Sequence, residues 1–177
     1  MPQLAWTATF PLGTYYGHRS DGSVEPYPSP LRLHAALLSA AAQGHLSEDG
    51  EPSQASLDAL QWLERHPPNG IYQPETRLLN HGNQRIGYRD VGTFDSTSMR
   101  KKVDARPISN GVAVQSSYGY LWHDVPEEIV ATLTQLAEDV PYLGESHSVV
   151  TLSAQSFTPN LWLSPCLLYT SDAADEG

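Results

Sequence analysis

The sequence predicts an α+β domain in which β-strands and α-helices alternate as two βαβ units, and three observations carry that prediction. Apolar residues alternate with period two near the start. Apolar stripes with helical spacing follow at three places, and the order of segments is β, α, α, weak β, a long irregular stretch, β, α, β. Setting the extra helix aside, this order is βαβ–βαβ. A ferredoxin-like sheet is the most economical way to bury those faces.

Each element has its own local reason. In residues 4–16, Leu4, Trp6, Ala8 and Phe10 alternate against Thr7 and Thr9, and Pro11 and Gly13 break or bulge the strand. Residues 17–28 read as loop, with Asp21-Gly22 as a turn signal. Ser29-Pro30 places a cap before a proline at the first helical position, and Leu31, Leu33, Ala36, Leu37, Ala40 and Ala41 continue a helix to about Gly44. Residues 45–52 read as a polar loop. A second helix is expected over 53–66, with Leu57, Leu60 and Leu63 on one stripe beside Trp62, stopped by Pro67-Pro68-Asn69-Gly70.

Residues 71–73 suit a short strand. From 74 to about 110 periodicity is weak, and so long a stretch inside a small domain is functional or disordered. Residues 112–122 read as an aromatic strand. Asp124 to Glu128 opens a third helix, with Ile129, Leu133 and Leu136 on one face and acids at the positive end of the helix dipole. Residues 140–144 close that helix, and 147–152 read as the last strand.

Charge is the main functional clue. The 177 residues carry a net −10, which argues against a polyanionic partner until the distribution is examined. Residues 77–106 hold seven of the ten basic residues, Arg77, Arg85, Arg89, Arg100, Lys101, Lys102 and Arg106. Only Asp90, Asp95 and Asp104 oppose them there, leaving a local +4. Residues 1–76 carry −5, and residues 107–177 carry −9 with no Lys or Arg.

Clustered cations bind closely spaced phosphates by releasing counterions. Arginine adds bidentate phosphate contacts. Tyr88 and Phe94 are suited to stacking on unpaired bases, and Gly82, Gly87 and Gly92 allow close backbone approach. The residues alone leave two readings of this basic arm open: an RNA clasp, or a solvated loop whose charge aids solubility. Arg32 has two open roles as well, a phosphate contact at a helix N-terminus or a salt bridge with Glu25 or another acid. Tyr15, Tyr16 and His18 follow the first strand at a rim, where packing is the default role.

Other chemistries find little support. The single Cys excludes an intrachain disulfide, and there is no His-x-x-x-His pair and no phosphate-cradling Gly loop. No cofactor or metal is expected. The histidines His18, His34, His81, His123 and His147 show no spacing that demands acid–base catalysis, and His34 and His147 read as structural. No apolar run of about 18 residues and no leader pattern occur, so a cytoplasmic protein without membrane association is expected. Residues 166–177 (CLLYTSDAADEG) match one reading frame of a common transposase-end sequencing adapter. The genuine part of this chain is therefore expected to end near Pro165, where the natural reading frame once continued, with residues 1–165 one module, the arm at about 74–110, and the tail non-native.

Three motifs then carry a resemblance. Glu25-Pro26-Tyr27-Pro28-Ser29-Pro30-Leu31-Arg32-Leu33 precedes and opens the first helix. Ala59-Leu60-Gln61-Trp62-Leu63-Glu64 is followed by Pro67-Pro68, and Pro141-Tyr142-Leu143-Gly144-Glu145-Ser146-His147-Ser148-Val149-Val150 bridges the third helix and last strand. In order and spacing these resemble the large CRISPR-associated subunit of type I-U (also called I-G) effectors, a RAMP-superfamily protein. That family fuses a crRNA 5′-handle-binding module to a repeat-RNA-processing module.

The resemblance spans most of residues 4–152. The chain departs from the family at Pro26 or Tyr27, where a second aromatic is usual, and near Glu145, where a basic residue is usual. The family's greater length agrees with an N-terminal fragment. The resemblance implies crRNA or repeat-RNA binding within an antiviral effector complex, alongside other CRISPR subunits. It also implies that metal-independent endoribonuclease activity belongs to the C-terminal module, so that this fragment binds and does not cut. Two other functions stay open: an endoribonuclease in its own right, with a His as base, and a protein-interaction scaffold whose arm touches no RNA.

Overall fold

Alternation along the first residues does produce a strand, β1 (Leu4–Thr9), with Leu4, Trp6 and Ala8 buried on one side. The computed structural model describes residues 3–19, 23–79, 86–94, 101–107 and 111–163, with 86–94 and 101–107 described by their backbone. The expected first strand of 4–16 is two strands. Gly13, at φ +66°, turns the chain after Pro11, and β2 (Thr14–Tyr15) joins a different sheet.

Helix α1 (Pro30–Gln43) begins as expected, with Ser29 Oγ accepting from the Arg32 N–H and Pro30 in the first turn. At its far end the Gly44 N–H donates to the Ala40 carbonyl. The loop expected at 45–52 is a tight hairpin of β3 (Ser47–Glu48) and β4 (Glu51–Pro52). Its two-residue turn, Asp49-Gly50, has both φ angles positive (53° and 83°), the geometry for which Asp-Gly is favoured. Helix α2 (Gln54–Arg65) is capped by Ser53, which accepts from the Ser56 N–H.

Next come β5 (Gly70–Tyr72) and β6 (Thr76–Leu78). The stretch read as irregular then contains a two-stranded antiparallel ribbon, β7 (Ile86–Phe94) against β8 (Lys101–Pro107), with a register shift between Asp90 and Phe94. The reading of 112–122 as one strand is also corrected. It is β9 (Val112–Val114) in a small sheet and β10 (Tyr118–Trp122) in the large one. Helix α3 (Glu127–Glu138) follows, then β11 (Thr151–Ala154) and β12 (Leu161–Trp162). The last expected strand therefore starts later than 147. Residues 144–149 are occupied by a turn in which the Ser148 N–H donates to the Glu145 carbonyl and the Leu143 N–H to that of Ser148.

The large sheet has the order β11-β1-β10-β5-β12, and every paired neighbour is antiparallel. Strands β1 and β5 flank β10 and run parallel to each other, and β10 and β11 flank β1 in the same way. These are two interlocked split βαβ units, the ferredoxin-like arrangement expected from the sequence, with β12 added at one edge.

The register sets Leu4 opposite Trp122, Trp6 opposite Tyr120, and Ala8 opposite Tyr118 and Leu152. That face forms one core with Leu33 and Leu37 of α1, Leu60 of α2, and Leu133 and Leu136 of α3. Each such side chain contributes about 1.5–3 kcal/mol on burial. Trp6 and Trp122 meet edge to face, with centroids 5.8 Å apart.

The opposite face is covered as well. Residues 155–163 run back across it as a strap. The Gln155 N–H donates to the Ala5 carbonyl, and Asn160 clasps the Gln73 backbone through both its amide oxygen (2.9 Å) and its amide nitrogen (2.7 Å). Phe157 lies over Gly119, where a Cβ would come within 2.6 Å of its ring. Strand β10 is consequently buried on both faces, which its unbroken run of buried residues reflects.

A second, three-stranded sheet, β2-β9-β6, stands beside the first. The basic arm leaves and re-enters the body through it.

Candidate nucleic-acid interface

The arm has a defined root. Strands β6 and β9 pair Thr76 with Val114, Arg77 with Ala113 and Leu78 with Val112, and the Leu79 N–H donates to the Gly111 carbonyl at 2.9 Å. Residues 79 and 111, the two legs of the arm, are thereby held side by side. Arg77 is exposed on the outer face of this sheet, in a row with Ala113 and Thr14.

Beyond the root, the ribbon pairs Gly87 with Arg106, Tyr88 with Ala105, Arg89 with Asp104, and Phe94 with Lys101, with Lys102 next along β8. The structure thus sets Arg89, Lys101, Lys102 and Arg106 on one two-stranded ladder with Tyr88 and Phe94. Arg85 and Arg100 lie outside the described residues.

Arg32 is placed differently. Its Nε donates to Glu25 Oε2 at 2.7 Å and its Nη2 to the His18 carbonyl at 2.8 Å. Of the two roles open to it, the geometry displays the salt bridge. The same Glu25 oxygen accepts the Tyr15 hydroxyl at 2.6 Å, and Glu25 is only 8% exposed.

Two further phenols hold the same segment. The Tyr118 hydroxyl donates to the Pro26 carbonyl at 2.9 Å and that of Tyr120 to the Pro28 carbonyl at 2.6 Å. The proline-rich segment that leads into α1 is therefore fastened to the sheet by three tyrosines. Its alternate residues are prolines without N–H groups, so its carbonyls are what the sheet can grip. The signal for this was present in the sequence as three tyrosines in strand segments, but nothing local pairs them with residues 25–28.

Burial drives all three phenols well above the ordinary range, and in Tyr15 the hydrogen bond and negative charge of Glu25 add to it. The unfolded chain ionises its tyrosines near pH 10 while the fold holds these three neutral. Their contribution is intact below about pH 10 and declines as the pH rises past it. We expect a steep alkaline unfolding in that range, followed by near-ultraviolet circular dichroism and phenolate absorbance. Phenolate signal from all tyrosines with the fold intact would count against it.

The rim next to this segment gathers groups that sequence reasoning kept apart. His18 Nδ1 lies 3.1 Å from Glu145 Oε1, and His147 Nε2 lies 3.7 Å from Glu145 Oε2. His147 is exposed in a turn, which corrects its reading as a strand residue, and its ring packs on Tyr16 with centroids 4.2 Å apart. His34 lies in α1, with Nε2 3.3 Å from the Leu60 carbonyl and 3.4 Å from Glu64 Oε1. His123 hangs off the end of β10, where its N–H donates to Asn69, and His81 lies outside the described residues. At the other end of α1, Asp139 accepts from the backbone and the ring of His45, which lowers its pKa.

A groove of about 500 Å³ runs between α1 and the segment after α3, lined by Arg32, Ser39, Gln43, Asp139, Tyr142 and Gly144. Among the described residues no cluster of three or more His, Cys, Asp or Glu side chains is arranged to hold a metal ion. Nor, among them, is any helix long and apolar enough to cross a membrane.

No protein-family model matches the sequence, and no curated protein matches it. Among solved structures, the chain is similar to a CRISPR protein from Archaeoglobus fulgidus. The TM-score is 0.40 and the identity 16%, over 86% of this chain and 62% of that one. The chain spans less than two thirds of the length of that protein.

Proposed function

We propose that this chain is the crRNA-binding N-terminal module of a CRISPR effector subunit of the RAMP superfamily, of type I-U (I-G), acting in the cytoplasm with other effector subunits. The observation that carries the reading is charge segregation. Seven of the ten cations fall in one mid-chain window, and the rest of the molecule is acidic. The split βαβ body supports it by holding both legs of the arm together at the Leu79–Gly111 hydrogen bond.

In this reading Arg77, Arg85, Arg89, Arg100, Lys101, Lys102 and Arg106 contact phosphates, and Tyr88 and Phe94 stack on bases. Arg32 ties His18 to Glu25 beside the start of α1. The strap supports an arm-centred mode, because it occupies the sheet face on which RRM domains stack RNA.

The test is binding of single-stranded repeat RNA to the full chain over a range of salt concentrations. Affinity is expected to fall linearly with salt on a log–log scale, by about 0.7 for each phosphate neutralised. Salt-independent binding, or crosslinking to protein partners with none to RNA, would defeat the proposal.

A further inference from the structure

An arm binds more tightly when it already stands where its ligand will run, because ordering it on binding costs affinity. The root shows what holds this arm. The return leg is gripped from two sides at Gly111. On one side the Gly111 carbonyl accepts from the Leu79 N–H of the outgoing leg at 2.9 Å. On the other, the next two residues, Val112 and Ala113, pair with Tyr15 and Thr14 of β2. The half-buried ring of Tyr16 lies against Gly111. A Cβ there would come within 2.5 Å of the ring and 2.7 Å of the Tyr15 carbonyl. Gly111 has no positive φ, so the close approach, and not its backbone conformation, demands glycine at this position.

Tyr16 is itself held in place by a distant turn. Its N–H donates to Ser148 Oγ at 2.9 Å, and its carbonyl accepts from the Glu145 N–H at 2.9 Å and from the Ser148 hydroxyl at 3.3 Å. Ser148 is fully buried, which keeps water from competing for these bonds. Gly144 has φ +92°, and a Cβ there would press on the same Tyr16 carbonyl. The His147 ring packs against that of Tyr16, with centroids 4.2 Å apart.

The chain of contacts therefore runs from the turn at 144–148 to Tyr16, and from Tyr16 to the first body residue on the return leg. Tyr16 carries no charge to offer a phosphate, and the contacts of its ring are to protein. What it supplies is an abutment.

We propose that Tyr16 is a positioning residue for RNA binding: its ring, clamped by the turn at 144–148, abuts Gly111 and sets the direction in which the arm stands off the body. This rests on the RNA-binding reading above and adds to it the element that presets the arm. Sequence position alone gave Tyr16 only a packing role at a rim.

The experiment compares the full chain with its Tyr16→Ala, Tyr16→Phe and Gly111→Ala variants by two measurements. The first is limited trypsin digestion with mass mapping of the fragments. Seven of the ten Lys and Arg lie at 77–106, so cleavage reports chiefly on how firmly the arm is held. The second is affinity for single-stranded repeat RNA at several salt concentrations. Tyr16→Ala is expected to speed cleavage within the arm severalfold and to lower RNA affinity about fivefold, the cost of ordering the arm on binding. Its salt slope should stay that of the wild type, because the same phosphates are neutralised. Gly111→Ala, which forces the ring and the return leg apart, should act in the same direction, and Tyr16→Phe, which keeps the ring, should match the wild type. Melting curves check that the body is intact, and Tyr16→Leu replaces Tyr16→Ala should the latter melt early. Wild-type cleavage in Tyr16→Ala, or faster cleavage with unchanged RNA affinity while arm-charge variants bind weakly, would overturn the positioning role and leave the RNA reading standing. A reduced salt slope would also overturn it, since Tyr16 would then govern which phosphates are met. Absence of binding to any RNA by the wild type would overturn both.

Discussion

Replacing Arg100, Lys101 and Lys102 together by alanine is expected to flatten the salt dependence of RNA binding by about 2 on a log–log scale. Each cation that neutralises a phosphate on a single strand contributes roughly 0.7 to the slope. Affinity at low salt should fall steeply while the variant's behaviour at high salt converges on the wild type. Little can replace the lost charges. Residues 107–177 contain no Lys or Arg, and residues 1–76 contain three, of which Arg32 is engaged by Glu25. The body is acidic and repels a phosphate chain displaced from the arm. A titration series over salt in both proteins, with circular dichroism to show equal folding, makes the measurement. An unchanged slope would remove the arm from RNA binding.

The largest effect on stability is expected at Glu25. Its Oε2 accepts from both Tyr15 and Arg32, at 2.6 and 2.7 Å, and Tyr15 is fully buried. Glu25→Ala leaves a buried hydroxyl without its acceptor and a guanidinium without its counter-charge. Removing one partner of a fully buried pair costs about 3–5 kcal/mol. The Arg32 side chain is 30% exposed and regains some water, so about 2–3 kcal/mol is expected here. Glu25→Gln, which keeps an acceptor for Tyr15 but loses the charge, should cost about half as much. The shift in urea midpoint measures both. A loss below about 0.5 kcal/mol for Glu25→Ala, the range of ordinary surface substitutions, would show that the network is incidental to the fold.

The helices were legible because their signals are local. Ser29-Pro30 and Ser53 are caps that act within one turn, and the stripe of Leu33, Leu37 and Ala41 repeats every helical turn. The topology was legible because the order of elements admits few ways to bury their faces. The β7–β8 ribbon was not. Its residues show no clear period two, and among the described residues β7 and β8 pair with each other and with neither of the larger sheets. The 45–52 hairpin was a missed opportunity, since Asp49-Gly50 is a strong two-residue turn signal even between polar neighbours. The split of 112–122 had a local sign, the polar run Gln115-Ser116-Ser117 between β9 and β10, but only the fold shows that the two strands join different sheets.

Residue order alone determined the split βαβ body and the gathering of positive charge into one window, since both are written in local periodicity and composition. Only the folded chain decided that Tyr118 would hold Pro26 from 92 residues away, that residues 155–163 would cover the open sheet face, and that His18 and His147 would share Glu145. Those contacts join segments whose separate sequences carry no sign of each other, and they arise when the sheet brings distant backbone stretches within hydrogen-bonding distance.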